Sequence, residues 1–165
     1  MSRGPLPFDP IERGAEQWER TYGEMPRMRA VTSLMRVQQL LLTELDELVR
    51  PFGLTFARYE VLVLLSFSRR GSLPLGKISE RLQVHATSVT PVVKRLAEAG
   101  LIDRRPHPED GRAVLASLTD RGRAVLEQAT AAIVGARFGL GALSEEQCDQ
   151  LSAILADARS AAGDF

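Results

Sequence analysis

Few residues in this chain carry the chemistry of an active site. The two histidines and the single cysteine stand at positions 85, 107 and 148, without the spacing of a metal-ligand motif. The sequence has no Walker loop to cradle phosphates, no glycine-rich dinucleotide fingerprint, no HExxH and no GxSxG nucleophile elbow. These absences argue against an enzyme, a metal centre or a bound cofactor. Charge is the chemistry that remains, and it is unevenly spread. Lys and Arg number 21 and Asp and Glu 21, a net charge of zero. Yet residues 67–123 hold 11 basic against 6 acidic side chains, a surplus of +5, while residues 1–66 carry −1 and residues 124–165 carry −4. A basic middle between acidic ends suits a polyanion-binding face; a solvated surface with uneven sampling is the other reading.

The elements that must position this charge are mostly helices. A length of 165 residues suits one domain with helical appendages, enough to bury a core without a metal or disulfide staple. One cysteine excludes an internal disulfide and suits a reducing cytoplasm. No apolar run is long enough to span a membrane, and Met1 to Pro10 has no signal-peptide core and reads as a mobile arm. Ile11 to Tyr22 reads as a short helix around Trp18. Arg27 to Val49 is a long amphipathic helix with apolar residues at 3-4 spacing, from Val31, Leu34 and Met35 to Leu48, stopped by Pro51 and Gly53. Thr55 caps a helix reaching about Arg69, whose Val61 to Leu65 run is apolar nearly all round and belongs at the centre.

Two short helices follow, about Lys77 to Leu82 and His85 to Ala99, split by Val84-His85-Ala86. If Thr87 or Ser88 is the N-cap, Pro91 falls in the first turn of the second, where a missing N–H matters little. These are the proportions of a helix-turn-helix. Leu101 to Arg105 and Arg112 to Leu118 read as strands around a loop that ends in Asp110-Gly111, a hairpin signal. Thr119 caps a helix to about Arg137, broken by Gly139 and Gly141, and Ser144 to Gln147 is a capping box for a last helix. The fold class is therefore mainly α with a small β-hairpin wing. Its parts are an arm (1–10), N-terminal helices (11–53), a winged helix-turn-helix (54–118) and C-terminal helices (119–165).

With these elements in place, the stretch from Leu54 to Leu126 resembles the MarR family of bacterial transcription factors. The marks are Leu54-Thr55, Ile78, Leu82, Ser88-Val89-Thr90, Leu96, Gly100-Leu101-Ile102, Arg104, Asp110-Gly111-Arg112 and Leu118-Thr119. The resemblance implies a homodimer that binds palindromic double-stranded DNA and is often released by a small-molecule effector. It places the second short helix in the major groove, with His85, Thr87, Ser88, Thr90, Pro91, Lys94 and Arg95 as the DNA-facing set. Small hydroxyls suit phosphates and base edges, Pro91 offers an apolar face to a thymine methyl, and Lys94 suits a phosphate. Helix capping is the structural alternative for Thr87 and Ser88. In the wing it implies that Arg112 reaches the minor groove and that Asp110 braces it, with Arg105 and His107 as lesser candidates and Arg104 as a brace. The alternative is an exposed ion pair worth under about 1 kcal/mol.

The flanking helices carry more apolar stripe than a small winged helix can cover, which fits intertwined dimerisation. A helix with a Trp ahead of the core, here Trp18, and an acidic residue on the helix after Thr55, here Glu60, are similar to the urate-responsive subgroup. The stretches Leu54 to Glu60 and Val84 to Thr90 also look like citrate- and aconitate-responsive regulators. The implied ligand is an organic anion bound with Trp18 and Glu60; the alternative for Trp18 is docking of the first helix on the dimer core. Cys148 sits on an apolar helical stripe and reads as a small core residue. A winged-helix module for protein interaction, and a small-molecule-binding or enzymatic role without DNA, are the competing functions.

Overall fold

The structure is a computed structural model, and it describes residues 6–23, 26–69, 71–110 and 113–165. It divides into two compact units, Met1–Thr43 and Glu44–Phe165. In the first, α1 runs Pro10–Tyr22, so the helix begins inside the span expected to be an arm. Asp9 is the reason: its Oδ1 accepts the N–H groups of Ile11 at 2.8 Å and Glu12 at 3.3 Å, and Pro10 starts the helix where no N–H is needed. Residues 1–5 of that arm lie outside the described residues. Helix α2 runs Pro26–Val49, and Arg29 at its start pairs with Glu12 of α1 at 3.3 Å. Val31, Leu34, Met35, Val37 and Leu40 of α2 are all exposed.

The second unit is built around α3 (Phe56–Ser66). Thr55 caps it as expected, accepting the Arg58 N–H, and Asp46 at the end of α2 takes the Phe56 N–H at 2.6 Å. Val61, Leu62 and Leu65 are buried, and the Tyr59 hydroxyl finds Thr130 Oγ1 at 3.2 Å. The helix stops at Ser66, short of Arg69. Ser66 turns its hydroxyl back to the Val63 carbonyl and Ser68 bonds the Ser72 carbonyl, local bonds that compete with further helix. The chain then makes a strand that sequence reading missed, β1 (Ser72–Pro74). Next come α4 (Leu75–Leu82), α5 (Ala86–Glu98), β2 (Ile102–Pro106) and β3 (Val114–Leu118).

The wing is thus an antiparallel sheet of order β1-β3-β2 among the described residues. Leu73 lies opposite Ala116 and Arg104 on the other side of it. Helix α6 (Asp120–Gly135) follows its Thr119 cap and ends two residues early, at a turn in which Arg137, Phe138 and Gly139 all hold positive φ. Helix α7 (Glu145–Ala161) opens on the expected capping box. Ser144 Oγ accepts the Gln147 N–H at 3.2 Å, and Gln147 Oε1 accepts the Ser144 N–H at 2.9 Å. Leu45 and Val49 of α2 join α3, Ile78, Leu96, Ile102, Ala116 and Ile133 in one core. Helix α7 contributes no buried residue. This corrects the reading of Cys148 as core: its free thiol is half-buried in an open recess beside Leu140 and Leu143. The stripe on α7 was read properly, but its partner surface is not in this chain's core. No helix among the described residues is long and apolar enough to cross a membrane.

Candidate nucleic-acid interface

Helix α5 has two faces. Val89, Val93 and Leu96 repeat at 4-3 spacing and are buried to 3% exposure or less. Thr87, Ser88, Thr90, Pro91, Lys94 and Arg95 fall on the rest of the helix and are exposed. The helix therefore anchors by three aliphatic side chains and offers hydroxyls at its first turns and cations toward its end. Lys94 Nζ lies 3.8 Å from Glu98 Oε1, an exposed pair that contributes little and leaves the ammonium open to other anions. Among the described residues no group of three His, Cys, Asp or Glu could hold a metal.

The cap of α5 differs from expectation. His85, not Thr87 or Ser88, is the N-cap: its backbone is extended, and its Nδ1 accepts the Thr87 N–H at 3.3 Å. Thr87 Oγ1 is 2.8 Å from the same nitrogen. The helix starts within the expected His85 to Ala99 span but ahead of a Thr87 or Ser88 cap, so Pro91 sits in its interior rather than its first turn. There it cannot close the bond to the Thr87 carbonyl, and it is tolerated because that side of the helix faces solvent. Pro91→Ala restores the N–H and is expected to raise unfolding free energy by about 1–2 kcal/mol, read from urea denaturation. Loss of stability would show that the proline ring itself packs.

In the wing, Arg104 and Arg105 lie on the outer strand β2, opposite Ala116 and Leu115, and both are exposed. The loop beyond is pinned by the His107 N–H on the Ala113 carbonyl at 2.9 Å and the Ala113 N–H on the Asp110 carbonyl at 2.9 Å. His107 Nδ1 accepts the Glu109 N–H at 3.2 Å, which assigns that histidine to the turn itself. Asp110 is exposed at the tip. Arg112, with Gly111, lies outside the described residues.

One joint holds α5, the wing and α6 together, and sequence reading found only part of it. Thr119 was read as a helix cap, and its Oγ1 does accept the Gly122 N–H at 2.9 Å. The same hydroxyl donates to the Gly100 carbonyl at 2.8 Å, and the Thr119 N–H reaches the Leu101 carbonyl at 3.1 Å. Gly122 was not singled out, although a glycine in the first turn of a capped helix is a signal of close approach. A Cβ there would run into the Leu101 carbonyl oxygen and lie 2.9 Å from its carbon.

The two ligand candidates fall in different units. Trp18 meets Tyr22 in the first unit, ring centroids 4.7 Å apart and planes tilted by 48°. Glu60 stands on α3 in the second, where desolvation raises its carboxyl above the ordinary glutamate value.

Known proteins share this arrangement. The MarR family model matches residues 54–114, which spans α3, the helix-turn-helix and the start of β3. The solved structure of Sco5413, a MarR family transcriptional regulator from Streptomyces coelicolor, superposes with a TM-score of 0.79 at 55% identity, covering 86% of this chain and 98% of that one. The repressor MdtR of Bacillus subtilis is 34% identical over 132 residues, 79% of this chain and 83% of its own. The organic hydroperoxide resistance transcriptional regulator of the same organism is 35% identical over 108 residues, 66% of this chain and 71% of its own. Fold, matched core and near full-length likeness to regulators rather than enzymes agree: the chain belongs to the MarR family of winged helix-turn-helix transcriptional regulators.

Proposed function

We propose that the protein is a homodimeric repressor that grips a palindromic operator and lets go when a small organic anion binds. The observation that carries the DNA half is the division of α5, whose buried valines and leucine leave a polar, cationic face with hydroxyls near its N-terminus. A helix N-terminus favours anions through its free N–H groups and its dipole, and the first residues of such a helix meet base edges. Two copies related by a two-fold axis would present two such helices to half-sites about one helical turn apart.

The dimer half is supported by apolar surface that the single chain leaves open. Leu34, Met35 and Leu40 on α2, Val134 on α6, Phe138 and Ile154 on α7 or just before it are exposed by 47% or more. The acidic surplus of the ends keeps those helices from binding DNA indiscriminately, and the basic surplus of the middle meets phosphate. For the ligand, Glu60 on α3 offers a carboxyl that desolvation holds above the ordinary glutamate range, which suits a hydrogen bond to an organic acid.

The test is retardation of the DNA flanking the protein's own gene, titrated with salt. Arg112→Ala is expected to weaken binding and to lower the slope of log affinity against log salt by about 1 for each arginine engaged. An unchanged slope and affinity would remove Arg112 from the interface. No retardation of any fragment at low salt would instead favour a protein-interaction module.

A further inference from the structure

The turn between α4 and α5 makes a contact that the interface above does not use. Gln83 closes α4 in the left-handed conformation, with φ 52°. Its Nε2 donates to Asp164 Oδ1 at 2.6 Å and lies 3.5 Å from the Asp164 backbone carbonyl. Asp164 arrives there through the turn that ends α7: Gly163 adopts φ 74°, and the Asp164 N–H returns to the Arg159 carbonyl at 3.1 Å. The second carboxylate oxygen, Oδ2, accepts from Arg159 Nε at 2.6 Å. The guanidinium of Arg159 also stands over the Phe165 ring, 5.1 Å from its centroid. The carboxylate, 26% exposed, is thus held by two short charge-assisted bonds, one of them from the helix-turn-helix itself.

In a helix-turn-helix the first helix crosses the sugar-phosphate backbone while the second enters the groove, so the turn that joins them is carried to the phosphates. Glutamine side-chain amides are ordinary phosphate donors. Gln83 is two residues before His85, the cap of α5. We infer that Gln83 is a phosphate anchor of the DNA complex, and that the Asp164 carboxylate occupies it in the free protein in place of a phosphate. A carboxylate and a phosphodiester each offer an anionic oxygen to the same N–H, so docking exchanges one charge-assisted hydrogen bond for another. Asp164 keeps Arg159 on its other oxygen, so the displaced carboxylate is not left unpaired. The contact therefore acts as a brake that only a well-placed phosphate releases.

This inference rests on the DNA-binding reading, and the experiment separates the two. The full chain and its Gln83→Ala, Asp164→Ala and doubly substituted variants are titrated by fluorescence anisotropy against labelled fragments of the DNA flanking the protein's own gene. Asp164→Ala is expected to bind about fivefold tighter and Gln83→Ala about fivefold weaker, the scale of one hydrogen bond to a charged group partly offset by competition. The double variant is expected to match Gln83→Ala, because the carboxylate acts through that amide. If Asp164→Ala binds no tighter, or if its gain is undiminished beside Gln83→Ala, the anchor-and-brake relation is wrong. A wild type that binds no DNA overturns the function reading and this inference together. Thermal melts accompany each variant. Should Asp164→Ala melt early, Asp164→Asn removes the charge at nearly the same shape and is expected to move affinity in the same direction; no gain there overturns the brake.

Discussion

Gly122→Ala is expected to destabilise the protein by about 3 kcal/mol, the upper part of the range for forced overpacking. In a domain of this size that is a fall of roughly 10 °C in melting temperature. Gly122 is in the first turn of α6, buried, with its N–H on Thr119 Oγ1 at 2.9 Å. The added methyl would meet not a side chain that can rotate away but the Leu101 backbone carbonyl. That carbonyl is itself held, since it accepts the Thr119 N–H at 3.1 Å. Relief requires α6 to move off the turn that joins α5 to β2, which breaks the two bonds that tie Thr119 to the Gly100 and Leu101 carbonyls. Alanine is a better helix former than glycine by about 1 kcal/mol, so a purely local account predicts the opposite sign. Urea denaturation of the variant decides between them: a midpoint at or above that of the wild type would show that the close approach is relaxed at little expense.

The second large effect is expected on DNA. Ser88→Glu should lower DNA affinity by about 100-fold or more, because opposing a carboxylate to a phosphate costs several kcal/mol and the proposed dimer would carry two. With His85 as cap, Ser88 is the third residue of α5, exposed to one side of the face that buries Val89 and Val93. A glutamate there is favourable to the helix itself, whose N-terminus attracts negative charge. Folding should therefore be intact or improved while binding is lost. Ser88→Gln, neutral and of the same size, is the control for bulk. Equal affinity of Ser88→Glu and wild type at low salt would place α5 away from the DNA backbone.

How far residues alone predicted these features depends on the range over which each is decided. Thr55, Thr119 and Ser144 all cap the helices they were expected to cap, since a cap needs only the next three residues. The buried set of α5 was likewise legible from 3-4 spacing. Strand β1 was not, because three residues with a proline show no alternation and become a strand only by pairing with β3, more than forty positions on. His85, though placed at the helix start, was passed over as its cap because a ring nitrogen is not the usual oxygen acceptor. Cys148 was placed in a core because a stripe on a helix says that something covers it, not what. The second role of Thr119, and Gly122 beneath it, depend on where a distant carbonyl comes to rest.

The strand order has a consequence for how the domain comes into being. Because β1 precedes both short helices and pairs with β3 rather than β2, Ser72 faces Ser117 and everything between them is a closed loop. Closing such a loop is an entropic toll levied before the pairing can reward it, and it raises the contact order of an otherwise helical chain. During synthesis β1 has no neighbour to pair with until residues 114–118 have left the ribosome. A chain truncated before that point holds every residue of α4 and α5 but lacks the strand that ties the loop shut. The unit of any transplant into another protein is therefore the whole clasp from β1 to β3, not the pair of helices inside it.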